Sequence, residues 1–129
     1  MVAMRRIALL LLVVVTLSCQ TADLQVHDRL YFGRNIPAGG VVSDAQWDEF
    51  VRTVITPRFP DGFTVFQTKG QWRDPHGTIV REDGFVFEVH HPRSAETEAA
   101  IETIAREYKK QFGQDAVLRV TSPSRVRFY

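Results

Sequence analysis

From Val26 to the C-terminus the spacing of apolar residues switches from two to 3.6 and back, twice over, and few folds accommodate that succession. Val26 to Phe32 alternates. Val26, Asp28, Leu30 and Phe32 fall on one side and His27, Arg29 and Tyr31 on the other, the pattern of a half-buried strand. Gly33 to Val42, broken by Pro37 and Gly39-Gly40, reads as a loop. Ser43 opens a helix, because its hydroxyl can accept a free first-turn N–H and Gln46 three residues on completes a capping box. Trp47, Phe50, Val51, Val54 and Ile55 form its apolar stripe. Thr56-Pro57 stops it, since the residue before a proline avoids helical angles.

Phe63 to Trp72 predicts a second strand, Asp74-Pro75-His76-Gly77 a turn, and Thr78 to His91 a third strand. Asp83-Gly84 should interrupt the third strand, either as a tight hairpin turn or, the preferred reading, as a bulge. Ser94 can cap a second helix, with Glu96 and Glu98 near its positive end and Lys109-Lys110 near its negative end. Ile101, Ile104, Ala105, Tyr108 and Phe112 make its apolar face, and Gly113 stops it. A last strand region runs from Ala116 to Tyr129, broken at Ser122-Pro123-Ser124.

The resulting order, β-α-β-β-α-β, is that of a ferredoxin-like α+β domain over residues 26–129. Right-handed crossovers put both helices on one face of a four-stranded antiparallel sheet. The other face is left open. Arg29, Tyr31, Thr64, Phe66, Thr68, Glu88, His90 and Arg119 are expected there, a set too aromatic for ordinary solvated strand and too charged for core. Exposed apolar area of this kind marks an interaction site.

Ahead of the domain, Arg5-Arg6 precede an eleven-residue apolar stretch, Ile7 to Leu17, and then Ser18-Cys19. The stretch is too short to cross a bilayer, which takes about 20 residues, and has the length of a signal-peptide core. Thr16-Leu17-Ser18-Cys19 resembles a lipoprotein lipobox. That resemblance implies cleavage after residue 18, lipidation of Cys19, and anchoring to a membrane of the cell envelope by a short tether, 19–25. Gln20 after the cysteine points to the outer membrane, facing the periplasm, and the lone thiol is explained without a disulfide. Without residues 1–18 the chain keeps 14 basic and 15 acidic residues, a net charge of −1, which argues against a nucleic-acid partner.

Leu30-Tyr31-Phe32-Gly33-Arg34, Val42-Ser43-Asp44 with Trp47 and Phe50, the block Ile55 to Val65, and Gly70-Gln71-Trp72-Arg73 together resemble the exported bacterial proteins grouped as domain-of-unknown-function family 3574. The resemblance covers about residues 26 to 128. It implies an exported domain, often carrying a lipoprotein signal, and it carries over no catalytic residue.

Among candidate chemical groups, His90-His91 point to opposite faces of a strand and cannot readily chelate one ion. Glu88 and His90 share a face and can form a carboxylate–imidazole pair for proton transfer. His27 and His76 show no ligand spacing and read as surface residues, so neither a metal nor another cofactor is expected. Arg58 in the Pro-stiffened loop and Arg73 beside Trp72 are the candidate anion contacts, Arg58 alternatively pairing with Asp61 or capping the first helix. Trp72, Tyr31 and Phe66 are the candidate ligand or interface aromatics.

Two functions lead on this reading, ahead of a third, an accessory envelope component whose surface matters only to one partner protein. One is a non-enzymatic, membrane-anchored binding or assembly module that uses the open face to form a homodimer or to hold a small anionic or peptide-like ligand. The other is a small envelope enzyme resembling dimeric α+β-barrel oxygenases or isomerases. There His90 and Glu88 would move protons and Arg58 or Arg73 would hold an anionic substrate.

Overall fold

A computed structural model of the chain describes residues 24–129. The expected signal 1–18, Cys19 and the tether as far as residue 23 lie outside the described residues. Leu24 and Gln25, expected in the tether, belong to the first strand.

The elements are β1 (Leu24–Gly33), α1 (Asp44–Phe50) prolonged by a π-helical turn (Val51–Ile55), β2 (Thr64–Arg73), β3 (Ile79–Pro92), α2 (Ala95–Phe112) and β4 (Leu118–Arg125). The strands make one sheet in the order β2-β3-β1-β4, with every neighbouring pair antiparallel. This is the ferredoxin-like arrangement that the alternating periods predict.

Both helices start as their sequences require. Ser43 and Gln46 close a capping box on α1. On α2 the reciprocal partner of Ser94 is Thr97, and Gly113 ends the helix with a left-handed φ of 59°. The π-helical turn was not anticipated: the Thr56 N–H donates to the Val51 carbonyl at 2.8 Å, five residues back.

Two expected interruptions are absent. β3 has no bulge and no hairpin turn at Asp83-Gly84, and its register against β2 runs unbroken from Thr64↔Glu88 to Arg73↔Ile79. Gly84 serves close packing instead. A Cβ there would lie 2.9 Å from the Phe32 carbonyl oxygen and 3.1 Å from Thr68 Oγ1. β4 likewise runs straight through Pro123, opposite Val26. It is an edge strand, where a missing N–H is tolerated.

The core joins Leu30, Phe32, Phe85, Phe87 and Val89 of the sheet to Trp47, Phe50 and Ile55 of the first helix and Ile101, Ile104 and Tyr108 of the second. Trp47 stacks on Phe85 at 4.3 Å, Phe32 meets Tyr108 edge-on at 4.7 Å, and the Tyr108 hydroxyl donates to the Gly33 carbonyl at 2.8 Å. Both helices therefore cover the sheet face that carries Leu30 and Phe87. The face carrying Tyr31 and Val86 has no helix over it.

Candidate functional site

Residues directly opposite in neighbouring antiparallel strands share a face, so the register assembles the open face row by row. One row crosses the whole sheet as Phe66, Val86, Tyr31 and Leu118. Phe66 and Leu118 are 41% and 60% exposed, while Val86 between Phe66 and Tyr31 is fully enclosed. The next row is Thr64, Glu88, Arg29 and Val120, and the one after it His90, His27 and Ser122. An apolar band thus adjoins a charged patch.

Within that patch Arg29 Nε donates to Glu88 Oε2 at 2.7 Å. This contact, ahead of the neighbouring His27, holds the Glu88 carboxyl below its ordinary range. His27 Nε2 lies 3.3 Å from Glu88 Oε1, yet it is buried and makes no hydrogen bond. The His27 and His90 rings lie parallel, 4.4 Å apart with 12° between their planes. His90 Nδ1 is 3.1 Å from Ser124 Oγ. Burial, followed by the charge of His27, depresses the His90 ring below the ordinary imidazole value. One donor atom from each of His27, Glu88 and His90 lies within 4.8 Å of the other two. His27 is therefore not an isolated surface histidine. Sequence reasoning placed it on the correct face and missed its partners, because the pairing His27↔His90 depends on a register that the sequence does not show.

On the helix side of the same strands sits a second polar group. Asp28 is fully buried, and each of its oxygens is met twice. Arg119 donates from Nε to Oδ1 at 2.9 Å and from Nη2 to Oδ2 at 2.8 Å. The Thr121 hydroxyl donates to Oδ1, and His91 Nε2 to Oδ2 at 2.8 Å. Burial by itself would raise the Asp28 carboxyl, but the hydrogen bonds from Arg119, Thr121 and His91 outweigh it and hold the group at about 2. His91 Nδ1 faces the Pro92 carbonyl at 2.9 Å. The ring thus spans the buried Asp28 carboxylate and the Pro92 carbonyl. Arg119 also forks onto Glu98 of α2. Arg119, expected on the open face, belongs instead to this network: it pairs with Leu30 on the helix side. A cleft of about 50 Å³ beside it is lined by His91, Ser94, Glu98 and Arg119.

The remaining candidates are dispersed. Tyr31, Phe66, Glu88 and His90 share the open face. Trp72, 51% exposed, and Arg73 lie on the β2–β3 hairpin beyond Gly33, where β1 ends. Arg58 caps the end of the first helix, its Nη1 donating to the Val54 carbonyl at 2.6 Å. This is the structural one of its two expected roles. A groove of about 230 Å³ between α1 and β2 is lined by Asp44, Trp47, Asp48 and Val65. Neither hollow contains Glu88, His90, Arg58 or Arg73. Among the described residues no helix is long and apolar enough to cross a membrane.

Solved structures similar to this chain are small α+β proteins. A phage SAM lyase in complex with S-methyl-5'-thioadenosine matches with a TM-score of 0.61 at 14% identity, over 79% of this chain and 83% of that one. The same description without ligand, a phage SAM lyase in the apo state, gives 0.60 at 13% identity, over 81% and 84%. CutA from Synechococcus elongatus gives 0.52 at 9% identity, over 78% of each chain. Identities this low establish a shared fold. No curated protein matches the chain significantly. The family described as "Protein of unknown function (DUF3574)" matches residues 27–128, so the chain belongs to the DUF3574 family.

Proposed function

We propose that this domain is a non-enzymatic binding and assembly module of the bacterial cell envelope that works through its open sheet face. A lipid on Cys19 would hold it at the outer membrane, facing the periplasm. The observation that carries the reading is the apolar row Phe66–Val86–Tyr31–Leu118, extended by Val120 at 46% exposure, on a sheet face that no helix covers. An apolar row with exposed ends, Phe66 on one edge and Leu118 on the other, rimmed by charge has the anatomy of an interface. The enzyme reading has less support, because its expected anion contact Arg58 caps the first helix, and neither the cleft beside Asp28 nor the groove between α1 and β2 is lined by Arg58, Arg73, Glu88 or His90.

The occupant proposed here is a second copy of the chain, set row against row. Sedimentation of fragment 20–129 tests it. A dimer that Phe66→Ala or Tyr31→Ala dissociates is the expected result. A strict monomer at high concentration, whose behaviour neither substitution alters, would rule self-association out and leave a peptide-like or small anionic ligand as the occupant to seek.

A further inference from the structure

The patch beside the apolar row has a feature that an interface does not need, namely a buried imidazole nitrogen with nothing bonded to it. We propose that His27, Glu88 and His90 form a three-ligand site for a divalent late first-row transition ion of the Zn²⁺ type, open to solvent at its fourth position. The proposal stands whether or not the apolar row is an interface.

The donor set is suited to such an ion, since imidazole and carboxylate together favour zinc and its neighbours. Zinc bonds to nitrogen and oxygen are about 2.0–2.1 Å long, so two ligands of a tetrahedral ion sit about 3.4 Å apart. His27 Nε2 and Glu88 Oε1 are 3.3 Å apart, a carboxylate contact close to that spacing although the nitrogen makes no well-aligned hydrogen bond. The third donor, on His90, is within 4.8 Å of the other two and belongs to an exposed side chain. A side-chain rotation that brings it up to about 1.4 Å closer closes the set. His27 and His90 come from directly opposite positions of β1 and β3, and Glu88 lies two residues along β3 on the same face. The ligands are therefore mounted on two central strands of the sheet and not on loops.

An outer layer of partners is also present. Arg29 grips Glu88 Oε2 at 2.7 Å, which leaves Oε1 turned to His27. With Nδ1–H of His90 donated to Ser124 Oγ at 3.1 Å, its Nε2 carries the free lone pair. Partners of this kind fix the orientation and tautomer of metal ligands. The Arg29 charge beside the carboxylate opposes the ion, so binding weaker than that of an all-acidic cage is expected.

The test is calorimetric titration of the full chain in detergent with Zn²⁺, together with visible absorption after Co²⁺ loading. The expected result is one ion per chain and a ligand-field band in the visible. His27→Ala and His90→Ala should each weaken binding at least tenfold, while His76→Ala in the hairpin turn leaves it unchanged. Ser124→Ala should weaken it about tenfold, as loss of an outer partner does. His27 is half-buried and its removal can disturb the sheet. His90 is exposed, so the His90→Ala variant, checked by circular dichroism, keeps the result independent of folding. No zinc uptake by the wild-type chain, or wild-type affinity in His90→Ala, would overturn the site. Dimer formation, measured separately, is left untouched by either outcome.

Discussion

Replacing Asp28 with Asn changes one charge and almost no volume, yet it should cost this domain a large part of its stability. The side chain is fully buried, and its two oxygens accept four hydrogen bonds, two from Arg119 and one each from Thr121 and His91. Asparagine offers one carbonyl oxygen and one NH₂. Whichever way it turns, its NH₂ meets one Arg119 N–H head-on, because Arg119 donates to both oxygen positions, and the buried guanidinium contact loses its counter-ion. Breaking a buried ion pair from one side costs about 3–5 kcal/mol, against roughly 5–15 kcal/mol for a whole domain. In urea, with a slope of about 1.5 kcal/mol/M, the unfolding midpoint should fall by about 2–3 M. Equilibrium unfolding followed by tryptophan fluorescence reads this directly, because Trp47 is in the core. A triple replacement, Asp28→Leu with His91→Phe and Arg119→Met, removes the charges together and should recover most of the loss. A midpoint for Asp28→Asn within about 0.5 M of wild type would refute the reasoning that this network is desolvated and mutually dependent.

Two further outcomes follow from the same coordinates. The Asp28 carboxyl, about 2 when folded against an ordinary 3.8, contributes stability that is complete above pH 3.8 and is lost as pH falls toward 2. The gap is worth roughly 2 kcal/mol, so acid titration of unfolding should show a steeper loss between pH 4 and 2 in wild type than in Asp28→Asn, and equal slopes would contradict it. Gly84→Ala forces a Cβ to within 2.9 Å of the Phe32 carbonyl oxygen, a backbone atom that cannot swing aside. It should destabilise by about 1–3 kcal/mol in the same urea assay, and a neutral effect would show that β1 can shift.

The periods of the sequence made the fold legible because they report burial, and burial depends on which face a helix or strand presents. The stripe Trp47–Ile55, the alternation Val26–Phe32 and the caps Ser43, Ser94 and Gly113 all act within a few residues of themselves. Long-range features stayed hidden. Asp28 falls on the apolar side of β1, but its partner Arg119 is 91 residues away, and no local pattern announces the register of β4 against β1. Arg119 was misplaced for that reason, since its face follows from its register with Leu30. Gly84 misled differently. A glycine within a strand signals either a bulge or a close approach, and only the neighbouring Phe32 carbonyl decides between them. The π-helical turn has no compositional mark, because it is defined by one hydrogen bond reaching five residues back.

The pairing of β1 with β3 sets a histidine–carboxylate group on each side of the same sheet, and their hydrogen-bond inventories separate structure from function. On the helix side every group is used. Asp28 accepts four bonds, and each His91 nitrogen faces an oxygen, one of Asp28 and the other the Pro92 carbonyl. The His91–Asp28 pair thus ties β3 to β1, and Arg119 extends the network to β4 and, through Glu98, to α2. On the open side the inventory is incomplete: His27 Nε2 is buried and unbonded, and one Glu88 oxygen is turned toward it. Buried polar groups left unsatisfied cost about 1–3 kcal/mol each, and a fold that could complete one network to the last lone pair retains the other unfinished. An unfinished polar group beside an uncovered apolar row is where an occupant gains most by binding, which is the physical case for the interface proposed on the side the helices do not reach.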